Sequence, residues 1–185
     1  KSNRIFNTFL TYKLNVFHSF KDIYTYNTIS IKSTRFSRLV NGEYRQVNYG
    51  LSLAVGSQVE RFGNLIFEGK YQVDEIKNLT NNIISPYNTK FLSIKISSTI
   101  DTQDKFPFPN RGIYFNGYYE TAQSYLISDL GYTVFSFDYK NYLYVFNDNV
   151  ISTRFRLGFA DNTLPLSQQF SLGGQEIFFG LRDSE

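Results

Sequence analysis

"NYGLSLAVG", residues 48–56, alternates without a break. Tyr49, Leu51, Leu53 and Val55 fall on one side of an extended chain; Asn48, Gly50, Ser52 and Ala54 fall on the other. A helix would need apolar residues three and four apart, and here they are two apart. The stretch reads as a β-strand with one apolar face and one polar or small face.

The same period recurs along the chain. Leu65, Phe67, Tyr71 and Val73 oppose Asn64, Glu68, Lys70, Gln72 and Asp74. Leu92, Ile94, Ile96 and Ile100 oppose Ser93, Lys95, Ser97 and Thr99. Ile151, Phe155, Leu157 and Phe159 oppose Ser152, Arg154, Arg156 and Gly158. The expectation is an all-β protein with about eight strands, near 4–18, 26–40, 46–57, 63–76, 90–101, 111–123, 131–146 and 149–160. The second is the weakest, because Ser33 and Arg35 interrupt its apolar face.

Composition agrees with strands. Of 185 residues, 18% are aromatic, dominated by 15 Tyr and 19 Phe, which favour pleated, half-buried surfaces. Cysteine is absent, so neither a disulfide framework nor a thiolate site is possible. The net charge of +3 is small and spread out, which argues against nucleic acid as a partner. No signal-like apolar segment follows Lys1, and the start "KSNRIFNTFL" already reads as mid-strand, so the chain is expected to be an internal piece. No apolar run approaches the roughly 18 residues of a membrane-crossing helix.

Alternation alone fits either a soluble sandwich or a membrane barrel. The polar faces carry Lys13, Glu68, Lys70, Asp74, Lys95, Glu120, Asp138, Lys140, Arg154 and Arg156, while the opposing faces are almost free of charge. Several strands exceed globular lengths and approach the roughly 9–11 residues that cross a bilayer at a tilt. "SQVERFG" and "NDN" read as short turns, whereas 77–89 and everything after Ala160 read as long loops. Tyrosines near strand ends and the loop asymmetry favour the membrane form.

Two motifs narrow this further. "SSTIDTQDKFPFPNRGIYFNGYYE", 97–120, has a strand ending in Asp101, a second acid at Asp104, and a Pro109-x-x-Gly112 turn that launches the next strand. "LPLSQQFSLGG", 164–174, sets a Pro and a Phe ahead of Gly173-Gly174. In this order the two resemble BamA-like outer-membrane barrels, the bacterial surface antigen superfamily, over roughly 45–185. The resemblance implies an antiparallel transmembrane barrel of sixteen strands. Residues 1–185 would be an internal part of that one domain, placed in the outer membrane of a Gram-negative-type bacterium. The repeat domains usual in the family are not expected in this stretch.

The resemblance also implies that 161–185 is the extracellular loop that folds back into the lumen. Its tip would contact the inner wall, for which Glu120, Asp138, Arg154 and Arg156 are the candidates. Alignment on Gly173-Gly174 puts Phe179-Gly180 at the tip, where the family carries an Arg-Gly pair. Phe179 is thus a departure, and Arg182 lies three residues late. Departures in this loop also resemble the diverged barrels fused to patatin-like phospholipases. Independently of any family, Pro109 suits a turn because it lacks a donor. Gly112 suits unusual backbone geometry, and Asp101 and Asp104 suit bonds to turn amides.

Other chemistry fails on context. "GLSLA", 50–54, approaches a nucleophile elbow, yet Ser52 sits inside an alternating strand with no helix after it. His18 is the only histidine, so no catalytic triad or histidine-rich metal site can form; it reads as a strand end. "GGQEIFFG" lacks the Lys-Ser/Thr of a phosphate loop. Asp101 and Asp104 could be drawn as a metal pair, but turn capping suits them better. No catalytic residue, metal or cofactor is expected. By the resemblance, the leading function is insertion or translocation of proteins at the outer membrane, with the bilayer and client outer-membrane proteins as partners. The alternatives are an anchoring or export barrel for a fused patatin-like lipase, and a passive pore.

Overall fold

The structure, a computed structural model, describes residues 10–32, 35–59, 61–81, 84–125, 127–146 and 149–170. These form one seven-stranded sheet in which sequence neighbours are spatial neighbours, from β1 to β7. The strands are β1 Leu10–Lys32, β2 Arg35–Val59, β3 Gly63–Thr80, β4 Tyr87–Asp101, β5 Gly112–Ala122, β6 Tyr132–Tyr144 and β7 Val150–Ala160. The only other regular element among the described residues is a 3-10 turn at Leu166–Gln168.

Seven strands replace the eight expected, because the first three of that map are two. β1 runs through His18 and β2 runs through 41–45. Polar residues that read as breaks are instead satisfied across the pair. Arg45 donates to both oxygens of Asp22, at 2.7 and 2.9 Å, and Thr25 Oγ1 donates to the Gly42 carbonyl at 3.2 Å. His18 lies mid-strand, stacked on Tyr49 with ring centroids 6.3 Å apart. Ladder bonds overrode local turn chemistry.

The loop lengths need a second correction. β3 continues to Thr80 and β4 begins at Tyr87, so the long loop expected at 77–89 is the six-residue connection 81–86. The connection 102–111, at the end of the sheet where β2 gives way to β3 and β6 to β7, is the longer one. Loop asymmetry is therefore not what sets this sheet apart.

Its two faces are. Along β2, Ser52, Ala54 and Gly56 are buried, while Leu51, Leu53 and Val55 are 40–54% exposed. In β4 to β7, register places Ile96, Tyr119, Phe135 and Phe159 in one row across the sheet, and Ile100, Phe115, Tyr139 and Phe155 in another. Phe67, Ile94, Phe135, Phe155 and Phe159 are all exposed on this apolar face. The buried polar residues Ser52, Gln72, Asp74, Ser93 and Glu120 lie on the other. A water-soluble sandwich would hide the first set and solvate the second. This sheet does the reverse, which is the arrangement of a wall against lipid.

The chain divides into two compact units. The first comprises Lys1–Val16, Leu51–Tyr71 and Phe91–Leu164. It contains β5 to β7 and a small cluster of Phe91, Ala122, Tyr132, Val134 and Leu164. The second comprises Phe17–Gly50, Gln72–Lys90 and Pro165–Glu185. Within it Tyr44, Gln46, Gln72, Val73, Asp74 and Ile76 are buried. Val73 and Asp74 are adjacent on β3 and point oppositely, so both faces are covered there, although the pattern had placed Val73 on the lipid side.

Candidate functional site

The polar face of the first unit gathers every inner-wall candidate. Cross-strand pairing sets Thr99, Asn116, Asp138 and Arg156 in one row, and Asp101, Tyr114, Lys140 and Arg154 in the next. Two rows the other way lie Lys95, Glu120, Val134 and Ala160. Because successive residues alternate sides, even spacing along each strand brings these groups to one surface.

Two ionic clusters form on it. Asp138 receives Arg154 through a fork, Nε to Oδ1 at 2.9 Å and a terminal nitrogen to Oδ2 at 2.5 Å. Arg156, directly opposite, donates to the same Oδ2 at 2.9 Å. Planar guanidinium and carboxylate match edge to edge, which fixes both side chains.

Glu120 pairs differently. The Lys70 ammonium of β3 reaches it at 2.9 Å, spanning the intervening β4. The Tyr132 hydroxyl donates to it at 2.8 Å. Strands two apart are separated by about 10 Å, so only long side chains can bridge them. Phe91 shields the pair, meeting Tyr132 edge to face at 5.4 Å and lying 5.9 Å below the Lys70 nitrogen. Glu120 is 2% exposed. Two further cations rest on tyrosine rings of the same face, Lys95 over Tyr118 at 4.4 Å and Lys140 over Tyr114 at 5.5 Å.

At 102–111 the acids serve the turn itself. Asp101 accepts from the Gln103 amide at 3.0 Å; Asp104 accepts from the amides of Asn110 and Arg111 at 2.8 and 3.2 Å. Some desolvation works against the charged form of exposed Asp104, but the amides of Asn110 and Arg111, with its own amide and the Lys105 charge, outweigh it and hold the carboxyl below its ordinary range. Thr102 closes the base of the turn with Ile113, N to O at 2.9 Å and Oγ1 from N at 2.9 Å. Pro109 is buried in the turn. Gly112 has φ +108°, and a Cβ there would stand 2.3 Å from the Thr102 oxygen, so only glycine fits. The tip is left outward, with Phe106 92% and Phe108 81% exposed.

The loop-tip candidates Gly173, Gly174, Phe179, Gly180 and Arg182 lie outside the described residues. Lys70 stood on the charged face in the sequence, but nothing local could assign it to Glu120, fifty residues away. Tyr132 and Phe91 carried no polar pattern at all. Also unforeseen is Ser167, just after β7, which donates to the buried Asp74. Its signal would have been the pairing of a strand carboxylate with a short polar run after a proline.

Among the described residues, the charged groups of these clusters are spent on one another. The arrangement is a wall whose charged side chains are fixed by ion pairs and tyrosine rings, apolar on its reverse. The family model for the Omp85 superfamily domain matches residues 2–182. No curated protein matches the chain.

Proposed function

Because this chain belongs to the Omp85 superfamily, a family of outer-membrane proteins, we propose that it is wall and loop of a barrel that inserts or translocates proteins at the outer membrane of a Gram-negative-type bacterium. The observation that carries this reading is the family match over residues 2–182 on a sheet whose aromatic and aliphatic face is exposed. The exposed face meets lipid, and the paired charges of Asp138 and Glu120 line the lumen. No covalent step belongs to this work: a seam, a lumen and a loop suffice, with unfolded outer-membrane barrels as clients.

The complete protein, reconstituted in phospholipid vesicles, tests this. A urea-unfolded outer-membrane barrel is added, and its folding is followed by heat-modifiable gel mobility. Folding several-fold faster than in empty vesicles is expected. Client folding no faster than in empty vesicles overturns the proposal. In that event ion conductance in the same vesicles would favour a passive pore, and lipid hydrolysis a barrel fused to a lipase.

A further inference from the structure

Asp74 is almost completely buried, 1% exposed, on the polar face of β3. A carboxylate taken out of water needs donors close by. One is its strand neighbour two residues back, where Gln72 Nε2 donates to Oδ1 at 2.6 Å. Another comes from 93 residues away. The Ser167 hydroxyl donates to Oδ2, so each oxygen of Asp74 has its own donor.

Ser167 belongs to the segment that leaves β7. Before it, Thr163 Oγ1 donates to the Gly131 carbonyl at 2.7 Å and Leu164 is buried in the cluster of the first unit. Pro165, with extended φ −62° and ψ 150°, then redirects the chain into a single 3-10 turn. That turn is closed by the Gln168 amide on the Pro165 carbonyl at 2.9 Å. Within the second unit the turn has a second contact besides Ser167, from the Leu166 backbone to the hydroxyl of Tyr87 on β4. Tyr87 shares its face with Phe91 and Ser93, at even spacing along β4.

We propose that Asp74 is a latch, a positioning residue that fastens the stem of the loop, residues 165–169, to the polar face of β3 and β4. A charge-assisted bond from a hydroxyl is the strong kind where water is excluded. It is also reversible, because a carboxylate that loses Ser167 can be rehydrated once the stem lifts. The latch sets the direction in which the rest of the loop departs, and its opening frees the stem without disturbing the strands. This holds whether the barrel inserts proteins, anchors a lipase or conducts ions, so it does not rest on the function proposed above.

Hydrogen exchange on the complete protein in nanodiscs tests it. The reporters are the amides of Gln168 and Gln169, which close the 3-10 turn. Asp74→Ala and Ser167→Ala should each speed their exchange about tenfold, the size expected for one charge-assisted bond. The double variant should be no faster than Asp74→Ala, because the bond to Ser167 is already gone there. Asp74→Asn, which keeps a carbonyl acceptor, should fall between wild type and Asp74→Ala. Exchange across β5 to β7 should not change, which separates a local latch from general loosening. Should Asp74→Ala fail to assemble, Ser167→Ala alone decides. Unchanged exchange at Gln168 and Gln169 in Ser167→Ala, or additive effects in the double variant, would overturn the latch.

Discussion

Glu120 on β5 and Asp138 on β6 stand on the same face of one sheet, and each is neutralised by cations, yet they are held in opposite ways. Glu120 has one ammonium, brought across a whole strand and over the Phe91 ring, and accepts from the Tyr132 hydroxyl. Asp138 has two guanidiniums from the adjacent strand, whose side chains remain 26% and 41% exposed. The first cluster is dry and depends on a single cation. The second is wet and redundant. Chemically similar pairs therefore carry very different energies, and burial rather than charge count decides which.

The comparison breaks most sharply at Lys70. Lys70→Met leaves Glu120 buried without its counter-charge, and should destabilise the barrel by about 3–5 kcal/mol, read from urea unfolding in lipid vesicles. Replacing both members, Lys70→Met with Glu120→Leu, should restore most of that loss, since neither charge is then buried. A double variant as unstable as the single one would mean that the pair, and not its desolvation, holds the wall.

A second test moves a charge by one residue. Arg154 and Arg156 flank Phe155, which is 55% exposed on the apolar face. Phe155→Arg changes nothing in strand propensity that its neighbours do not already tolerate, but it turns a cation toward lipid. The expected cost is about 2–4 kcal/mol at mid-bilayer depth, measured in the same unfolding experiment. A neutral outcome would place this face in water.

Asp138→Asn should cost much less than Lys70→Met, on the order of 1 kcal/mol or below, because Arg154 and Arg156 can turn to water. High salt should shrink the difference further, whereas it should leave the Lys70 effect almost unchanged. Equal losses at the two sites would abolish the distinction between dry and wet clusters.

The smallest effect belongs to a third carboxylate, which has amides in place of cations. Asp104 has a depressed folded-state pKa, so its contribution is fully present above the unfolded value near 3.8 and is lost as pH falls through the lower folded value. The amide resonances of Asn110 and Arg111 should therefore stay fixed from neutral pH down to about 4 and move only below it. In Asp104→Asn that acid-side movement should vanish. Movement between pH 5 and 7 would show that another group governs the turn.

Much of the wall was legible beforehand. Alternation at 48–56 and at 151–159 set the strands and sorted Leu51, Leu53 and Phe155 from Ser52, Arg154 and Arg156, because side chains on an extended chain must alternate. The turn at 101–112 was legible for a similar reason. Gly112 and Asp104 answer to backbone needs within ten residues, which a sequence displays directly. The boundaries of β1 and β2 were not, since Asp22, Thr25 and Arg45 look like breaks until the partner strand supplies their bonds.

What the sequence determined by itself is therefore local and periodic: strands, two unlike faces, and a turn that only glycine can close. What only the tertiary structure decided is which of those residues meet. Lys70 finds Glu120 and Ser167 finds Asp74 because sheet order and a proline-directed turn bring distant positions into contact. Which face is covered and which is exposed likewise became visible only in the burial of Glu120 and the exposure of Phe155. Alternation is identical in a sandwich and in a membrane wall, and only the surroundings of each face tell them apart.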